Sequence, residues 1–110
     1  MNVSEFIIVT TKESDYGMTE LKPHIVCNDG FKMSLQAGKG LYCNPRETAF
    51  EYTSVEIGFP SEEEDLIKQY AENKNDYTET VYPCTPMNIA EEVVKKHGGI
   101  NVKKTFIKDE

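Results

Sequence analysis

Ile25-Val26-Cys27-Asn28-Asp29-Gly30-Phe31-Lys32-Met33-Ser34-Leu35-Gln36 is the stretch whose reading decides the fold. Its first arm holds two β-branched residues, Ile25 and Val26, and then Cys27. The Asp29-Gly30 pair suits a tight turn that needs positive φ. The second arm alternates Phe31, Met33 and Leu35 against Lys32, Ser34 and Gln36, the two-residue period of a strand with one covered face. The segment predicts an antiparallel hairpin.

The same period recurs from Tyr52 to Phe59, with Val55, Ile57 and Phe59 on one face and Ser54, Glu56 and Gly58 on the other. Pro60 ends that strand because it has no N–H to give the ladder. Phe6-Ile7-Ile8-Val9 predicts an N-terminal strand, and the polar residues 11–20 a loop. Glu79 to Pro83 predicts a further short strand. Ser61-Glu62-Glu63-Glu64 has the form of a capping box and predicts a helix to about Glu72, burying Leu66, Ile67, Tyr70 and Ala71. Thr85 as N-cap and Pro86 at the first helical position open a second helix, with Ile89, Ala90, Val93, Val94 and His97 on one face. Gly98 supplies its left-handed cap. The tail, residues 101–110, adds a strand through Val102 and Phe106-Ile107 or frays. The expected architecture is α+β, one domain over residues 1–110, with a mostly antiparallel sheet of four to six short strands and two helices on one face. Such a sheet leaves edges, which a homo-oligomer, a dimer or hexamer, would hide.

Composition narrows the function. The chain has 110 residues, 19 acidic against 12 basic, and a net charge of −7, which excludes a general nucleic-acid binder driven by phosphate neutralisation. No run approaches the roughly 20 apolar residues that span a bilayer, and the N-terminus lacks the basic and small-residue pattern of a signal peptide, so a cytoplasmic protein is expected. Cys27, Cys43 and Cys84 are odd in number and widely spaced, and His24 and His97 lie far apart. Neither a disulfide framework nor a metal site is expected, and no cofactor motif is present.

Tyr42-Cys43-Asn44-Pro45-Arg46-Glu47 is the most function-like segment. Arg46 is the one arginine, and it follows a stiffening proline in a loop bearing Gly38 and Gly40, with Tyr42 as a stacking surface. It reads equally as an anion-binding loop and as a loop fixed by an Arg46–Glu salt bridge. Ser34, Gln36 and Glu56 on a polar sheet face could meet ribose hydroxyls or simply face solvent. Asn88 at a helix start and His97 at a helix end could reach a ligand or serve as ordinary caps. The acids of residues 62–65 could mimic phosphates, but a helix start explains them. A Cys43–His97 or Cys84–His97 nucleophile pair is conceivable, yet nothing in the local sequence activates either thiol. No catalytic residue is assigned.

The strings DGF-x-MS-x-QA (from Asp29), YC-x-PR (from Tyr42), VE-x-GFPS (from Val55) and KHGGI (from Lys96) resemble a group of small bacteriophage and prophage proteins across residues 26–100. That group resembles the phage anti-defence sponge proteins, specifically the first type of Thoeris anti-defence protein, a family of similar size. That resemblance implies a host-cytoplasmic sponge that sequesters a cyclic ADP-ribose signal without degrading it, in dimers that assemble into hexamers. It implies an arginine for pyrophosphate, here Arg46, and an aromatic for adenine, here Tyr42, Tyr70 or Tyr82. Polar groups for ribose would come from Ser34, Gln36, Glu56 and Asn88. The alternatives are a protein that inhibits a host effector by direct binding, in the manner of an anti-CRISPR, and a small nucleotide-signal hydrolase.

Overall fold

In the computed structural model, which describes residues 1–107, four antiparallel strands form a meander in the order β1-β2-β3-β4. They are β1 (Ile25–Val26), β2 (Lys32–Gln36), β3 (Ser54–Gly58) and β4 (Val81–Pro86). Three helices accompany them: α1 (Val3–Thr10), α2 (Met87–Lys96) and α3 (Val102–Phe106). The class is α+β, as the alternation and turn signals imply. The decisive hairpin forms with Ile25 opposite Met33 and Val26 opposite Lys32, and Gly30 takes φ +96° in the turn. Ile25, Met33, Leu35, Val55 and Ile57 are fully buried, and α2 brings Ala90 and Val93 against the sheet.

Residues 6–9 are helical and not a strand. The Asn2 side chain accepts from Glu5 N at 2.8 Å while Glu5 Oε1 accepts from Asn2 N at 2.9 Å, a reciprocal cap. Glu91 of α2 adds a carboxylate at the same end, accepting from Val3 N at 2.6 Å. Val3, Phe6 and Ile7 then fall at helical spacing and are buried, whereas Ile8 and Val9 point outward. The apolar run alone hides this, because its period shows only when Val3 is included.

The helix expected over 62–72 is also absent, leaving turns and one 3-10 turn at Lys68–Tyr70. Both members of the presumed capping box are engaged elsewhere. Ser61 Oγ accepts from Lys32 N at 2.9 Å and Ser61 N donates to Lys32 O at 2.8 Å, so this residue extends the β2 ladder. Glu64 turns inward to the end of α2.

Helix α2 follows the sequence reading in its buried face and its termination. Gly98 N donates to Lys95 O and Gly99 N to Val94 O, at 3.1 and 2.9 Å, with both glycines at φ +89°. This is a Schellman ending. Thr85 is not its N-cap: β4 runs through Pro86, and Thr85 Oγ1 donates to Tyr82 O at 3.0 Å.

The tail forms α3 (Val102–Phe106), not a strand, with Ile107 as its extended C-cap, and residues 108–110 lie outside the described part. Asn101 Oδ1 caps it by accepting from Lys104 N at 2.9 Å. Thr105 imitates a strand partner: its hydroxyl accepts from Val26 N at 3.0 Å and donates to Val26 O at 3.2 Å. The β1 edge is thereby covered by the chain itself, which removes one motive for association. Thr105→Val keeps the shape and abolishes both bonds. It is expected to cost about 1–3 kcal/mol in urea unfolding, and a loss near zero would show that water replaces the hydroxyl.

Candidate functional site

The segment 37–46 is knitted to the sheet rather than left as a free loop. Asn44 N donates to Ser54 O and Thr53 N to Asn44 O, at 3.3 and 2.8 Å. Tyr42 N donates to Glu56 Oε1 at 3.1 Å. Inside the loop, Cys43 Sγ accepts from Gly38 N at 3.2 Å and lies 3.1 Å from Pro45 O. Burial raises the Cys43 thiol pKa, so it is a packing element with no activated thiolate.

A bulge in β4 supplies the other anchor. Val55 pairs with Thr85 and Ile57 with Tyr82, so β4 carries one residue more than β3 over this span. Pro83 has no N–H to offer, and Cys84 adopts φ +50°, uncommon for a residue with a Cβ. The displaced Cys84 N donates to Tyr42 O at 3.0 Å. Proline within a predicted strand was the one sequence signal of this bulge. The support given by Thr19 has no local signal: its hydroxyl accepts from Lys39 N at 2.8 Å and lies 2.6 Å from Thr48 Oγ1.

On this frame Arg46 lies with its guanidinium 5.2 Å from the centre of the Tyr42 ring, and both residues are exposed. Arg46 Nε donates to Leu41 O at 3.2 Å. Among the described residues the guanidinium forms no salt bridge, and its two terminal nitrogens donate no hydrogen bond. Among the described residues, then, the loop is fixed by its backbone bonds and not by an Arg46–Glu bridge. Glu56 stands beside the pair, half-buried, with Oε1 on Tyr42 N.

The other sequence candidates divide. Gln36 lies opposite Glu56 in the β2–β3 register but is buried and engaged, its amide bonded to Lys22 N, Lys22 O and Ser34 Oγ. Ser34 is half-buried and committed to that amide. Tyr82 is fully buried, with its hydroxyl donating to Tyr77 O, so it offers no stacking face. Tyr70 packs against the core from the 3-10 turn. Asn88 is exposed on the first turn of α2 and makes no side-chain hydrogen bond among the described residues.

His97 belongs to a different cluster. Its Nδ1 lies 2.6 Å from Asp29 Oδ2 and its Nε2 2.7 Å from Glu64 Oε1, and its ring stacks on Phe31 at 4.0 Å. Two carboxylates facing the two ring nitrogens favour the protonated ring, in which both nitrogens donate. Burial by itself would lower the His97 pKa, but the bonds and charges of Asp29 and Glu64 outweigh it and hold the pKa up. Lys96 Nζ adds a contact to Glu64 Oε2 at 2.9 Å. This cluster ties the hairpin turn, the 61–67 segment and the end of α2 together, and leaves neither imidazole nitrogen for a cysteine. The Cys27 thiol in the same hairpin is pushed up to about 11 by burial and by Asp29.

Comparison with protein families, with characterised proteins and with solved structures finds no match.

Proposed function

We propose that this chain binds an anionic, cyclic nucleotide-type immune signal of the cyclic ADP-ribose class at the Tyr42–Arg46 loop and holds it without cleaving it, as a phage anti-defence protein in the host cytoplasm. The observation that carries this reading is a guanidinium whose two terminal nitrogens are unengaged among the described residues, its Nε being held by Leu41 O. The single arginine of a chain with 19 acidic residues lies in the open over a tyrosine ring. Arg46 offers two terminal nitrogens to a pyrophosphate. Tyr42 is 48% exposed, and the side of its ring away from Arg46 would take adenine. Glu56 is an acceptor for a ribose hydroxyl. The loop is held by backbone bonds to β3 and β4, so little ordering is paid on binding. The site is open on one chain, and a second copy laid over it would enclose the ligand; a dimer or hexamer is part of the proposal. Binding of this kind needs no cofactor and no catalytic group.

The experiment is capture and release. The protein is mixed with cyclic ADP-ribose made by a TIR-domain enzyme, freed of excess ligand and heat-denatured. Intact ligand is expected in the released fraction, and its absence sinks the proposal. An altered ligand would instead make the chain a hydrolase. Arg46→Ala is expected to weaken binding by about 1.5–3 kcal/mol, and an unchanged affinity removes Arg46 from the site.

One feature favours a second reading, direct inhibition of a host effector. A groove of about 450 Å³ is lined by Ile8, Pro45, Phe50 and Met87 among others, and Ile8 and Phe50 are exposed by 51% and 61%. That reading expects a stable complex on co-purification from host lysate, with no small molecule retained.

A further inference from the structure

We propose a second anion site, independent of the Tyr42–Arg46 loop, in the cleft between the β1–β2 hairpin and α3, where a small molecule carrying a polyphosphate group would bind. The cleft has a volume of about 450 Å³ and is lined by Val26, Gly30, Lys32, Lys103, Lys104 and Ile107. Three of the chain's 12 basic residues thus border one cleft, although the chain as a whole carries a charge of −7. No carboxylate lines the cleft among the described residues.

Elsewhere the lysines that approach acids are held by them. Lys68 lies 2.8 Å from Glu63 and 3.0 Å from Asp65, and Lys96 lies 2.9 Å from Glu64. The ammonium groups of Lys32, Lys103 and Lys104 make no ion pair and no hydrogen bond among the described residues. Three like charges around one concavity repel, and a multivalent anion between them removes that repulsion.

The supports are fixed. Lys32 is the register partner of Val26, and its N–H and C=O are both bonded to Ser61. Lys103 and Lys104 stand on α3, which is pinned on either side of them by the Asn101 cap and by the Thr105 bonds to Val26. The cationic groups are therefore carried on backbone that does not need to move when an anion enters. Val26 and Ile107 give the cleft an apolar side, and its volume exceeds that of a phosphate group alone. A phosphorylated small molecule with a compact apolar body matches this lining.

The test is a titration of the ¹⁵N-labelled full chain with inorganic pyrophosphate at low salt, followed by amide NMR, with sulfate as the divalent control. Saturable shifts are expected at Gly30, Lys32, Lys103, Lys104 and Ile107, stronger for pyrophosphate than for sulfate and weakened by added salt. The double variant Lys103→Gln/Lys104→Gln leaves helix propensity nearly intact and is expected to weaken these shifts about tenfold or more. Thermal unfolding of that variant should match the parent, which separates charge loss from loss of fold. Arg46→Ala should leave the cleft shifts unchanged. The absence of saturable shifts in the cleft, or shifts insensitive to the double variant, overturns the proposal. Shifts confined to residues 42–46 overturn it too, while supporting the other site.

Discussion

Glu64→Ala is expected to destabilise the protein by about 3–5 kcal/mol, because it removes one partner of a buried ion pair and leaves the other behind. Glu64 is 1% exposed and accepts from Leu66 N at 2.9 Å, from Lys96 and from His97. Burial pushes its pKa up, but these bonds more than offset that and hold it below the ordinary 4.5. Loss of the carboxylate leaves the His97 imidazolium with Asp29 alone. Urea unfolding near pH 6 measures the cost, and a loss under about 1 kcal/mol would reduce the cluster to a surface-like pair.

The same cluster sets a pH dependence of two limbs. Asp29 and Glu64 are held low, so the stability they contribute is present at neutral pH and is lost as pH falls through their folded values. His97 is held above its ordinary 6.5, so its contribution is full below that value and is lost as pH rises through its folded pKa. Stability is expected to peak between the carboxylate and histidine ranges. Glu64→Gln removes one of the charges that hold His97 up, so the alkaline limb should move to lower pH. An alkaline limb that does not move would place its origin in another group.

Gly38→Ala is the second large effect. A Cβ at Gly38 would lie 2.3–2.4 Å from Thr19 Oγ1, Cβ and Cγ2, and the residue has φ +149°. Thr19 is buried and holds Lys39 N, so it cannot step aside without releasing the loop. Overpacking and backbone strain together are expected to cost about 3 kcal/mol or more. Gly30→Ala is the matched control. Its φ is +96°, yet nothing lies within 4 Å of the added Cβ, so only the conformational cost of about 1–2 kcal/mol applies. Equal losses at the two positions would refute the steric account. Gly38→Ala should also weaken any ligand held by Arg46, because Leu41, which accepts from Arg46, donates its own N–H to Gly38 O at 3.2 Å.

The parts legible in sequence are those with short-range causes. The Asp29-Gly30 turn, the alternation of β2 and of Val55 and Ile57 in β3, and the glycine ending of α2 each depend on neighbouring residues and form as the local pattern predicts. Phe59, by contrast, expected on the covered face of β3, lies beyond that strand at φ +48° and is exposed. The lone arginine beside a tyrosine was legible for the same reason, since Leu41, Tyr42 and Arg46 lie within one loop. The misread parts have distant causes. Ser61 and Glu64 satisfy every local requirement of a helix start, yet Lys32 and His97, each about 30 residues away, compete for them and win. Residues 6–9 gained their helix from Asn2 and from Glu91, at the other end of the chain.

By itself, then, the sequence determined the alternation of β2 and of the centre of β3, the hairpin turn and the last turn of α2, and it singled out Arg46 as the one arginine. The alternation, the turn and the helix ending follow from backbone preference and side-chain period, which act over a few residues. Only the tertiary structure decided that His97, Gln36 and Tyr82 are internal supports, that Arg46 meets no carboxylate among the described residues, and that three lysines share one cleft. Those outcomes depend on which polar groups meet when distant segments pack, because a buried donor or acceptor takes the partner that packing brings within reach.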